Sequence, residues 1–226
     1  MYTENLMQLS AVPLENIPQL WKQNDILVFL IDLDNYDTLS TGCLNSIEKE
    51  HLEKLQTTDF KKRYIISRMV LKHILCHLLN KNSVLEISTY KDECGEVHIL
   101  NHKELHICIS YSENIVTLAI SKVEVGIDVE IKRPLALKNT LKYLQITSSC
   151  PEKSASDSDI LKIWTMREAY CKFSNKSMLS ILSRGPDFNN ACCSSYVLDN
   201  KYIFSVITDS GLHTINISSL EKINYC

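Results

Sequence analysis

Asp128 and Glu130 lie two residues apart in the run Gly126-Ile127-Asp128-Val129-Glu130. In an extended strand this spacing sends both carboxylates to one face and Ile127 and Val129 to the other. Two like charges side by side repel unless water, a cation or a metal offsets them. A hard divalent ion such as Mg²⁺ suits that pair, because it prefers carboxylate oxygens and bound phosphate. Gly126 removes a side chain just before them and permits close approach by a backbone or a ligand. The plainer alternative is the solvated face of an edge strand.

A second constellation is Trp164-Thr165-Met166-Arg167-Glu168-Ala169-Tyr170-Cys171-Lys172. On a helix, Trp164, Glu168 and Lys172 share one face at i, i+4 and i+8, with Arg167 to one side. Glu168 offers a third carboxylate, and Lys172 a partner for it or for a phosphate. A surface salt bridge beside a core Trp is the simpler account. A third group is cationic. Between residues 59 and 81 stand Lys61, Lys62, Arg63, Arg68, Lys72 and Lys81, against Asp59 alone. This local positive field suggests a small anionic ligand, although a solvated basic face has the same pattern. Ser110, Tyr111 and Ser112 close a strand with three hydroxyls.

These residues need elements to hold them. The apolar run 26–31 predicts a buried strand. Ser46 is expected to cap a short helix over 47–56, and a longer helix is expected over 58–80, with a wide apolar face. Strands follow at 84–90, 97–100, 105–112, 115–121 and 125–131. In the third of these, Leu105, Ile107 and Ile109 face one way and His106, Cys108 and Ser110 the other. A weaker helix is expected at 135–146, a polar connection at 147–159 and a second long helix at 160–182. Residues 183–194 read as a turn-rich loop. A hairpin around Asn200 joins 196–198 to 202–208, and 211–226 reads as a short strand or irregular tail. The order fits two similar α/β halves, 1–122 and 123–226; a two-layer fold without internal symmetry is the alternative.

Composition narrows the function classes. The chain has 226 residues, a net charge of −3 and 45% apolar residues. It is long and apolar enough to bury a core. No positive balance marks a general nucleic-acid binder, and no apolar run of membrane-spanning length occurs. Nine scattered cysteines without a CxxC pair, and no basic-then-apolar leader, argue for a reducing, cytoplasmic setting.

Together, the Gly126–Glu130 strand and the Trp164–Lys172 helix resemble the hallmarks of the 4'-phosphopantetheinyl transferase superfamily, surfactin-synthetase-activating type. Those hallmarks are G-[IV]-D-[IV]-E and W-[ST]-x-K-E-[AS]-x-x-K, about 35–45 residues apart. Here Glu130 and Glu168 are separated by 38 positions. Arg63, Ser67, Arg68, Leu71 and Lys72 resemble the family's R-x-x-x-x-R-x-x-L-[RK] helix, and Ile109-Ser110-Tyr111-Ser112 its N-x-S-H-S segment. The likeness covers roughly residues 45–210. It departs where Tyr111 replaces the usual His, Glu96 falls in a family G-K-P turn, and Arg167 replaces Lys.

The resemblance implies an α+β fold of α/β layers, the pseudo-dimer of two similar halves, with the active site between them. It implies transfer of 4'-phosphopantetheine from coenzyme A to a serine of an acyl or peptidyl carrier protein, releasing adenosine 3',5'-bisphosphate. Asp128, Glu130 and Glu168 would be the Mg²⁺ ligands, with Mn²⁺ a possible substitute. Glu168 would be the base and Lys172 would stabilise pyrophosphate charge. Arg63, Arg68, Ser110, Tyr111, Arg167 and Lys172 would contact coenzyme A. A monomer is the family expectation. The departures leave open a coenzyme A-binding relative without transfer activity; a structural α/β interaction domain is the other alternative.

Overall fold

The computed structural model describes residues 5–36, 40–133, 156–184 and 186–223. The chain is α+β, with two sheets and several helices. It divides into two compact units: Met1–Leu9 with Glu124–Leu212, and Ser10–Val123 with His213–Cys226. The expected halves, 1–122 and 123–226, share the division near 123 but not this exchange of the terminal segments.

In the unit built on Ser10–Val123, the sheet comprises β2 (Ala11–Val12), β3 (Ile26–Asp32), β4 (Thr89–Lys91), β5 (Val97–Ile99), β6 (His106–Ser112), β7 (Ile115–Ser121) and β11 (Ile215–Leu220). Their order is β2-β11-β3-β7-β6-β5-β4. β11 runs parallel to β3, while β3, β7 and β6 are antiparallel neighbours. Thus the expected strand or tail at 211–226 is a strand held between β2 and β3. Helix α1 (Ile17–Gln23) precedes β3, and α2 (Ser46–Lys54) and α3 (Thr58–Leu78) follow it. The apolar stripe of α3, including Ile66, Val70 and Ile74, packs into one core with Leu27 and Phe29 of β3 and Leu118 and Ile120 of β7. That burial stabilises the element far more than its helix propensity does. Ile107 joins the same core, with Leu105 and Ile109 against it, as the alternation predicts.

Two boundaries differ from expectation. Asn45, rather than Ser46, caps α2, with Glu48 completing a capping box. The expected strand at 84–90 begins as a 3₁₀ turn, Val84–Glu86, held by the Ser83 and Glu86 side chains; only Thr89–Lys91 is extended. Local side-chain bonding there outcompetes β-propensity.

In the other unit, β1 (Leu6–Met7), β8 (Val125–Ile131), β9 (Ala191–Leu198) and β10 (Tyr202–Asp209) form a sheet ordered β1-β9-β10-β8. β10 is antiparallel to both β8 and β9, and β1 is parallel to β9. Asp199 and Asn200 take positive φ values of 48° and 54° and turn the β9–β10 hairpin within its three-residue connection, 199–201. β9 begins within the expected loop 183–194. The expected single helix at 160–182 is two: α4 (Asp157–Ser174) and α5 (Met178–Arg184). Asn175 ends α4 in the left-handed conformation, φ 52°, which Asn tolerates better than most residues. The expected helix at 135–146, and most of the 147–159 connection, lie outside the described residues.

Each unit has a strand, then helix, then a hairpin that returns beside that strand, with β4 and β5 as an addition before the β6–β7 hairpin in one of them. In each, the hairpin's second strand is central: β3-β7-β6 in one and β8-β10-β9 in the other. Among the described residues no helix is long and apolar enough to cross a membrane, and Cys43, Cys76, Cys94, Cys108, Cys171, Cys192 and Cys193 form no disulfide.

Candidate functional site

Ser156 starts α4 with a capping box completed by Asp159. The helix then lies directly on β8 and β10. The close approach is made at Gly126, where an added Cβ would collide with the Ala169 carbonyl oxygen and lie 2.6 Å from the Phe173 amide nitrogen. The missing side chain therefore admits a helix backbone. Below this contact the Thr165 hydroxyl is hydrogen-bonded to Ser205 at 2.7 Å, and Ser205 to Ser195 at 2.7 Å. These hydroxyls satisfy one another in a buried layer where an unpaired polar group would be costly.

The packing brings Glu168 and Lys172 to Asp128. Asp128 is only 2% exposed. Lys172 Nζ donates to Asp128 Oδ1 at 2.9 Å and to the Ile127 carbonyl at 3.0 Å. Burial pushes the Glu168 carboxyl from 4.5 up to about 7; the negative charges of Asp128 and Glu130 add to this, a hydrogen bond to Asp128 favours the protonated form, and Lys172 opposes the rise. Glu168 therefore stands beside Asp128 and within the field of Glu130. A carboxyl that titrates near neutrality can accept a proton from an alcohol undergoing reaction. Glu130 also faces Arg133, with a 3.9 Å ion pair.

The three acids form a hard oxygen donor set whose mutual repulsion a divalent cation would relieve. In that chemical sense they fit Mg²⁺. They are not drawn into one tight shell. Among the described residues, the group whose ligand atoms all lie within 4.8 Å of one another is Asp92, Glu96 and His98. Arg167 is 5% exposed, and burial lowers its pKa; Trp164 is half-buried.

The remaining predicted side chains belong to the other unit. Arg63 is half-buried, its guanidinium 6.0 Å from the centre of the Phe60 ring. Arg68 is 2% exposed and lies 5.2 Å over the Tyr64 ring; among the described residues its Nε and Nη1 find no hydrogen-bond acceptor. Ser110 is buried, while Tyr111 is exposed and hydrogen-bonded through its hydroxyl to Ser67 at 2.9 Å.

Lys72 corrects the picture of a continuous basic surface. Its Nζ is buried against Glu48 Oε2 at 2.6 Å and the Cys43 carbonyl at 2.7 Å, and Thr89 donates to the other Glu48 oxygen. This cation holds α2, α3 and β4 together and is not offered to a ligand. Sequence spacing gave no signal for Glu48. It also missed His51, whose ring lies 4.9 Å from that of Tyr64. Burial lowers the His51 pKa, as do the positive charges of Lys91, Arg68 and Lys54. Only a helix and an edge strand folded together reveal that cationic neighbourhood.

No protein-family model matches the chain, and no curated protein matches it.

Proposed function

We propose that this chain is a 4'-phosphopantetheinyl transferase that moves the phosphopantetheine arm of coenzyme A to a serine of an acyl or peptidyl carrier protein. The observation that carries the proposal is the meeting of Glu168, Asp128 and Lys172, from a helix and a strand 40 and more residues apart in sequence. The equivalent strand orders β3-β7-β6 and β8-β10-β9 support the pseudo-dimeric fold that accompanies this activity.

In the reaction proposed, the carrier serine oxygen bonds to the β-phosphorus of coenzyme A. The phosphorus–oxygen bond to the α-phosphate breaks, and adenosine 3',5'-bisphosphate leaves. Glu168 takes the serine proton; in the metal-free chain burial and the charges of Asp128 and Glu130 raise its carboxyl to about 7, and beside a bound cation that value would fall and the carboxyl stay ionised at neutral pH. Lys172 fixes the Asp128 carboxylate and adds positive charge beside the pyrophosphate. Asp128 and Glu168, with Glu130 nearby, would hold Mg²⁺, which supplies charge neutralisation at the phosphoryl oxygens. Arg63 is the proposed cation for coenzyme A phosphate, with Arg68, Ser110, Tyr111 and Arg167 as further contacts. A cytoplasmic monomer completes the proposal.

The test is intact-mass measurement of apo acyl and apo peptidyl carriers incubated with the protein, coenzyme A and Mg²⁺. The expected result is the mass gain of one phosphopantetheine arm, abolished by chelator. No gain on any carrier overturns the proposal.

A further inference from the structure

A second cluster belongs to the other unit, built on Ser10–Val123, in the turn that joins β4 to β5. Asp92, Glu96 and His98 each present a ligand atom, and all three atoms lie within 4.8 Å of one another. His98 Nε2 is 3.0 Å from Asp92 Oδ2. Two donors bound to one ion at about 2.0–2.1 Å sit about 3.0–3.4 Å apart for angles between a right angle and a tetrahedral one. The His98–Asp92 separation, a hydrogen bond in the metal-free chain, is already in that range; an entering ion would replace that bond, and Glu96, within 4.8 Å, would close in to complete the trio.

The scaffold fixes these donors. The other oxygen of Asp92 accepts from the Glu96 amide at 2.8 Å, and the Gly95 amide donates to the Asp92 carbonyl at 3.1 Å. Gly95 takes a φ of 90°, which turns the chain so that Glu96 returns towards Asp92. The His98 ring lies 5.3 Å from that of Tyr90 across the strand pair. Such outer contacts orient metal ligands. With a neutral imidazole the trio carries two negative charges, which one divalent ion balances. One imidazole nitrogen with two carboxylates favours a borderline ion over Mg²⁺, which prefers an all-oxygen shell.

We propose that Asp92, Glu96 and His98 form a Zn²⁺ site that clamps the β4–β5 hairpin. Each strand has three residues, and β4 lies at the edge of the sheet with β5 paired to β6 on its other side; an ion at the turn would tie that edge strand more firmly to the sheet. The site is independent of the transferase proposal, because it uses no residue of that site and no coenzyme A.

The test is Zn²⁺ titration of the full-length, chelator-stripped protein by competition with a chromophoric chelator. Three proteins are compared: wild type, Asp92→Asn/His98→Gln, and Asp128→Asn/Glu168→Gln. The expected result is one tight Zn²⁺ retained by Asp128→Asn/Glu168→Gln and weakened at least tenfold in Asp92→Asn/His98→Gln. Equal Zn²⁺ binding by wild type and Asp92→Asn/His98→Gln overturns the proposal, as does loss of tight binding only in Asp128→Asn/Glu168→Gln. X-ray absorption of wild-type protein loaded with one Zn²⁺ gives a check that no variant's folding can confuse. Imidazole scattering is expected, and a shell with no imidazole overturns the proposal.

Discussion

Glu168 carries the sharpest consequence at the scale of single residues. Its carboxyl titrates near 7 in the folded chain, against 4.5 ordinarily. The folded state therefore holds the proton more tightly than the unfolded one. Between those two values, rising pH reduces stability, and above about 7 the full penalty of an ionised Glu168 beside Asp128 and Glu130 is present. In chelator, Glu168→Gln should raise the melting temperature at pH 8 and leave it nearly unchanged at pH 5, as read by circular dichroism. An equal effect at both pH values would contradict the placement of this side chain. Lys72 gives a prediction of the opposite sign. Removing it by Lys72→Ala leaves the Glu48 carboxylate buried without its cation. A loss of about 3–5 kcal/mol in urea unfolding is expected, the usual cost of breaking a buried pair. A loss no greater than that of an exposed pair would place Lys72 at the surface.

Between elements, the decisive contact is α4 on β8 at Gly126. Gly126→Ala puts a methyl group against the Ala169 carbonyl and the Phe173 backbone, neither of which is a flexible tip. The helix must lift, at a cost of about 1–3 kcal/mol or more. Glu168 and Lys172 should move away from Asp128, and the proposed transfer activity should fall much more than stability does. Denaturant midpoints and carrier labelling on the same preparation measure the two effects. Much of this was legible in sequence. Alternation placed β6, whose Ile107 enters the main core, and the apolar stripe placed α3, whose Ile66, Val70 and Ile74 enter the same core. The spacing of Asp128 and Glu130 set both acids on one side of β8. What could not be read was tertiary or local in origin. Gly126 announced a close approach without naming its partner. Asn175 stops α4 through one left-handed residue inside an otherwise helical pattern, and the 84–90 segment yields its first turn to a capping box. Lys72 and Arg63 belong to the same run of cations, yet only the fold shows that Lys72 is already neutralised by Glu48.

Across the whole molecule, the terminal segments complete sheets built from distant sequence. β1 pairs with β9, and β11 lies between β2 and β3. Composition alone carries no trace of this, since short strands near the ends of a chain look like irregular tails. Deleting β11 uncovers the edge of β3, a fully buried strand over Ile26–Leu30. The truncated chain should lose cooperative thermal unfolding, and a retained sharp transition would show that β11 is dispensable. The transferase proposal rests on the Asp128–Glu168–Lys172 constellation and on the two similar strand orders, and a single measurement bears on it most directly. Intact mass spectrometry of apo carriers after incubation with coenzyme A and Mg²⁺ should show one phosphopantetheine arm added by the wild-type protein and almost none by Asp128→Asn. Unmodified carriers throughout, or full labelling by Asp128→Asn, would contradict the account.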